Sequence, residues 1–144
     1  MDYSALATQL LDSMQALHKF RPQKHLNEAM HGEAFVLRYI TVKNSDVLPS
    51  EISGEMGVSS ARVAAALNSL EGKGLITRQI DLNDRRKILV RITPEGRALA
   101  EEQEGAVVEG TAKMLALLGE QDAKEHIRIM GRLAEIMSVN CMEL

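Results

Sequence analysis

Aromatic residues are nearly missing from this sequence: two Phe, two Tyr and no Trp, 3% of 144 positions. A core must therefore be assembled from Leu, Ile, Val, Ala and the eight Met, side chains that pack adaptably. The single cysteine, Cys141, excludes an internal disulfide framework, and no arginine-tipped apolar segment opens the chain, so a reducing cytoplasm is the expected compartment. Long apolar runs are also lacking. Nothing approaches the roughly 18 residues that span a bilayer, and no membrane partner is expected. There is no nucleophile elbow, no glycine-rich phosphate loop and no paired metal-ligand spacing among the four His, so an enzyme, a cofactor and a metal site are all unexpected.

Positive charge is short overall, with a net charge of −3, but it is unevenly spread. Residues 98–144 hold nine Asp/Glu against four Lys/Arg, whereas residues 50–97 hold eight Lys/Arg against six Asp/Glu. Between Arg78 and Arg91 there are five basic and two acidic residues, a composition suited to a phosphate-facing edge.

Apolar spacing predicts six helices and a hairpin. Leu6, Leu10, Met14 and Leu17 form a stripe on a first helix, Ser4 to about Lys19, which Arg21-Pro22 ends. A second helix, from about Glu28 to Lys43, is apolar over most of its circumference and is expected to be buried. A short third helix covers about Pro49 to Met56, and Gly57 supplies a tight turn. Ser59 caps a fourth helix, Ser60 to about Glu71, with Val63, Ala66, Leu67 and Leu70 inward and Ser60, Ala61, Arg62, Ala65, Asn68 and Ser69 outward. That outward face is short and unbulky, and Arg62 and Asn68 are types that pair guanine and adenine edges.

Two strands follow, Leu75–Ile80 and Lys87–Thr93, around a tip with adjacent arginines, Arg85 and Arg86. A basic ribbon tip beside such a helix suits a neighbouring minor groove. Thr93-Pro94-Glu95 then opens a fifth helix running to Leu118, in which Gly105 and Gly110 allow a bend. A sixth covers about Asp122 to Val139, with Ile127, Met130, Ala134, Met137 and Cys141 on one face. The terminal helices lack a partner within the central motif and are expected to pair with a second chain. A symmetric dimer would set two fourth helices about 34 Å apart, one turn of DNA.

The run Gly57-Val-Ser to Leu70-Glu-x-Lys-Gly74-Leu-Ile-x-Arg78, then Asp81-x-x-Asp84-Arg85-Arg86 and Leu89-Val-x-Ile-Thr93-Pro-Glu-Gly96, resembles the MarR (multiple-antibiotic-resistance regulator) family. The resemblance implies a mainly α fold with a small two-to-three-stranded β wing, a single domain over 1–144 with a winged helix-turn-helix at about 46–96. Dimerisation helices are expected at about 4–20 and 94–142. It also implies a cytoplasmic homodimeric repressor on a pseudo-palindromic operator, released by a small-molecule effector or by oxidation.

Carried over residue by residue, Arg86 enters the minor groove and Asp84 holds it. Ser59, Ser60, Arg62 and Asn68 face the major groove and its phosphates, with Arg78 on the backbone and Arg85 beside it in the wing. Ala64, Ala65 and Ala66 replace the polar types more common there, which shifts the weight of recognition towards shape readout by the wing. A ligand pocket near the second helix would draw on His31, Phe35 and Arg38. Two rivals remain: a redox sensor built on Cys141, and a winged-helix module that binds proteins.

Overall fold

The computed structural model describes residues 1–20, 24, 26–29 and 32–140, and the chain divides into two compact units, Met1–Val108 and Glu109–Leu144. Among the described residues the elements run in order α1 (Tyr3–His18), α2 (Glu33–Lys43), α3 (Pro49–Met56), α4 (Ser60–Gly72), β1 (Ile76–Ile80), β2 (Ile88–Ile92), α5 (Pro94–Leu118) and α6 (Glu120–Asn140). Residues 26–29 are helical as well. No described helix is long and apolar enough to cross a membrane.

In the first unit the core gathers Val36, Leu37 and Ile40 of α2, Val47, Ile52 of α3, Val63, Leu67 and Leu70 of α4, Ile76, Val90 and Ala100. The expected methionines are absent from it. Among the described Met only Met56 packs against the cluster, while Met14, Met130 and Met137 are exposed, so the buried cluster consists of Val, Leu, Ile and Ala. The expectation for α2 is corrected too. Its helix starts at Glu33, after Gly32, and buries only the Val36, Leu37 and Ile40 side, leaving Val42 72% exposed.

Local chemistry fixes the element ends. Asp2 accepts the N–H groups of Ser4 and Ala5 at 3.0 and 3.3 Å and starts α1. Asn44, with φ of 49°, closes α2, and Gly57, with φ of 64°, makes the turn between α3 and α4. Ser59 caps α4 by accepting the Arg62 N–H at 3.3 Å. The hairpin pairs β1 with β2 antiparallel, from Ile76 opposite Ile92 to Ile80 opposite Ile88, and an isolated bridge joins Val47 to Val90. The sheet itself has two strands, and the bridge adds a single residue pair at its edge.

At the start of α5 the Thr93 hydroxyl accepts the Gly96 N–H at 3.0 Å and donates to the Gly74 carbonyl at 2.8 Å. α5 then stays helical through Gly105 and Gly110, and Gly119, with φ of 81°, separates it from α6. No residue of α1 or α6 is buried.

Candidate nucleic acid interface

Burial of Val63, Leu67 and Leu70 fixes the rotation of α4 and leaves Ser60, Ala61, Arg62, Ala64, Ala65 and Asn68 exposed, with Ser59 exposed at the cap. One expected member of this face lies elsewhere. Ser69 is half-buried and hydrogen-bonds the Glu33 carboxylate, because 3.6 residues per turn carries it round to the α2 side, while Ala66 packs against the core with the inward stripe, not among the exposed alanines. Glu33 also takes Lys73 Nζ at 2.9 Å. Burial raises its pKa, but the Lys73 and Ser69 hydrogen bonds outweigh burial and leave it below its usual 4.5. Arg62 borders a small groove with Glu33, Met56 and Ala65.

The wing tip is braced by its own acids. Asp81 accepts the Asn83 N–H at 2.8 Å, the Asp81 N–H donates to the Lys87 carbonyl at 2.9 Å, and the Lys87 N–H donates to the Asp84 carbonyl at 2.9 Å. Asp84 Oδ1 takes both the backbone N–H of Arg86, at 3.1 Å, and its Nε, at 3.2 Å. The Arg86 side-chain bond, then its backbone bond, hold the Asp84 carboxyl below the usual 3.8. Arg86 is thereby oriented while its side chain remains 91% exposed. Arg85 is also exposed and makes no hydrogen bond or ion pair with a described residue.

Arg78 is differently engaged from what its place in the motif implies. Its Nε and Nη2 donate to the two Glu71 oxygens at 3.0 and 3.1 Å, tying β1 to the end of α4. This bidentate pair uses the Nε–Nη2 edge of the guanidinium. Sequence reasoning left Glu71 out, although a helix that turns back into a strand through Gly72 and Gly74 brings positions 71 and 78 together.

The Arg78 hydrogen bond lowers the Glu71 pKa below 4.5. A lowered carboxylate pKa means the tie is complete above the ordinary Glu range and is lost as pH falls through the lowered value. Carbon-detected NMR titration should place the Glu71 midpoint below 4.5, and Arg78→Gln should return it towards 4.5.

A second long-range pair was equally unannounced. Arg91 donates to both Asp46 oxygens at 2.7 and 3.0 Å, across 45 positions, and Arg97 reaches Asn44 Oδ1 at 2.9 Å. The first pins the turn after α2 to β2 at the base of the wing, the second to the first turn of α5.

Of the candidate ligand residues, Arg38 lines a cleft of about 180 Å³ with Ala34, Gln103, Glu104 and Val107. Phe35 instead stacks on Tyr39, with centroids 6.2 Å apart. His31 lies outside the described residues, as does Cys141. Gln103, which sequence reasoning passed over, turns a buried Oε1 without a hydrogen-bond partner among the described residues. Arg38 stands 3.7 Å from Glu104.

Residues 33–109 match the family described as a winged helix DNA-binding domain. The chain is 31% identical over 145 residues to YwhA of Bacillus subtilis, an uncharacterized HTH-type transcriptional regulator, covering 94% of this chain and all of that one. In fold it is similar to Bordetella bronchiseptica BpsR, whose structure concerns regulation of DNA binding by 6-hydroxynicotinic acid; the TM-score is 0.66 at 22% identity, over 89% of this chain and 91% of that one. It is also similar to Streptococcus pneumoniae FabT in complex with DNA, with a TM-score of 0.58 at 24% identity, over 98% of this chain and 92% of that one.

Proposed function

Because the chain belongs to the winged helix DNA-binding family and is related to an HTH-type transcriptional regulator, we propose that it is a regulator of the MarR type, acting in the cytoplasm as a homodimeric repressor that a small molecule releases from a pseudo-palindromic operator. The observation that carries the DNA-binding part is the pairing of two surfaces in one unit: an exposed small-residue face on α4, and a wing whose Arg86 is aimed by Asp84 yet open to solvent. Arg62 and Asn68 supply base-edge contacts in the major groove, Ser59 and Ser60 meet adjacent phosphates, and Arg86 and Arg85 take the minor groove and its rim. Ala64 and Ala65 offer no polar base contact, so shape readout by the wing carries much of the recognition. Arg78 acts through Glu71, as the brace that sets the wing angle.

In this reading the whole chain, 1–144, is one regulator. Its winged helix-turn-helix at about 46–96 is flanked by dimerisation helices at about 4–20 and 94–142. A second copy covers the apolar stripes of α1 and α6, since Leu6, Leu10, Met14 and Leu17 are exposed by 46 to 61% and Leu133 by 50%. The effector site is the Arg38–Gln103 cleft. An effector that donates a hydrogen bond to Gln103 Oε1 and carries an anionic group competing with Glu104 for Arg38 would bind one arrangement of the helices better and shift the population away from the DNA-competent one. The regulation of BpsR by a hydroxylated pyridine acid supports that class of ligand.

The test is binding of a fluorescent duplex, selected from a random pool, at matched salt. Arg86→Ala should weaken it by roughly one to two orders of magnitude for the dimer and flatten the dependence of log K on log salt by about one unit per lost phosphate contact. Unchanged affinity would remove the wing from the interface.

A further inference from the structure

The wing carries an apolar strip that its ionic contacts leave unused. Leu82, at the hairpin tip, is 98% exposed, and Ile80 and Ile88, the last cross-strand pair before the tip, are exposed by 62% and 44%. Side chains alternate across a strand, so Ile80 and Ile88 share the ribbon face of Ile76 and Val90, which enter the core, and of Arg78, which reaches Glu71 on α4. The strip is therefore the core-facing side of the ribbon carried past the end of the core, on the side of the ribbon that faces α4. Arg85, Arg86 and Lys87, all exposed, lie between Leu82 and Ile88 in the chain, after Asn83 and Asp84.

Clustered exposed aliphatic residues at a hairpin tip mark a surface that is covered in use. Its occupant must offer apolar wall and negative rim within one narrow feature. The minor groove of duplex DNA has that chemistry, with deoxyribose C–H groups along its walls and phosphates along its edges, and apolar side chains are known minor-groove contacts in general.

We infer that Leu82, at the tip beyond the Ile80–Ile88 pair, packs against the deoxyribose wall of the minor groove and gives the wing a salt-independent contact beside the ionic one of Arg86. The inference rests on the DNA-binding reading above, and the two fail differently. With the full-length chain and the selected duplex across a salt series, Leu82→Ala should bind roughly tenfold more weakly at every salt concentration, as removal of a partly buried apolar side chain requires. Its line should run parallel to that of the wild type.

Leu82→Met, which keeps the apolar surface, should bind as the wild type does, whereas Arg86→Ala should flatten the slope. The inference is overturned if Leu82→Ala binds like the wild type while Arg86→Ala does not, or if Leu82→Ala flattens the slope as Arg86→Ala does. If both alanine variants bind like the wild type, the DNA-binding wing itself is wrong.

Discussion

Replacing Gly96 by alanine should destabilise the first unit by about 3 kcal/mol, a large effect for one methyl group. A Cβ at Gly96 would overlap the Leu75 carbonyl oxygen, with the Leu75 carbonyl carbon at 2.9 Å and Ile92 Cγ1 at 3.0 Å. Retreat is blocked, because that carbonyl accepts the Thr93 N–H at 3.1 Å and the Leu75 N–H is held by the Leu70 carbonyl at 3.0 Å. The first turn of α5 is thus clamped against the start of the wing, and the methyl group must break one of these bonds or push the helix off. Thermal unfolding followed by circular dichroism should show a Tm lower by roughly 10 °C, and a Tm within about 2 °C of the wild type would mean that the contact relaxes freely. Because the same junction seats the wing on α4, duplex affinity should fall in step.

Leu133→Asp should have the largest effect on binding without harming the unit that holds the wing. Leu133 lies at the centre of an exposed stripe on α6 that includes Ile129, Met130, Ile136 and Met137, each 46 to 54% exposed. A carboxylate there costs nothing to an exposed helix but is severely unfavourable inside an apolar dimer contact. The variant should sediment as a monomer at micromolar concentration, where the wild type is expected as a dimer. Loss of the linked second half-site should lower duplex affinity by roughly 100-fold or more, the range that bivalency contributes. A variant that stays dimeric would place the interface elsewhere.

These two positions also mark what can be read from the residues alone. The bounds of α3 and α5, Pro49–Met56 and Pro94–Leu118, coincide with expectation because proline, serine, threonine and glycine act on the backbone locally. The order of helices and the position of the wing followed from period and turn chemistry in the same way. Partner choice did not. Nothing in the sequence ties Arg78 to Glu71, or joins Asp46 to Arg91 across 45 positions. The methionine core failed because composition says which apolar residues exist, whereas rotation of each helix decides which are buried. Ser69 was misplaced for the same reason, by a fraction of a turn. Gly96 was legible as part of a motif, but its necessity lies in a carbonyl 21 residues away in the chain.

The most direct test of the central claim is sequencing of the duplexes that the wild-type chain enriches from a random pool. A dimeric winged helix regulator should select a pseudo-palindrome whose half-site centres stand about 10 base pairs, or a multiple, apart. Recovery of no common sequence, or of a single unrepeated site, would contradict it.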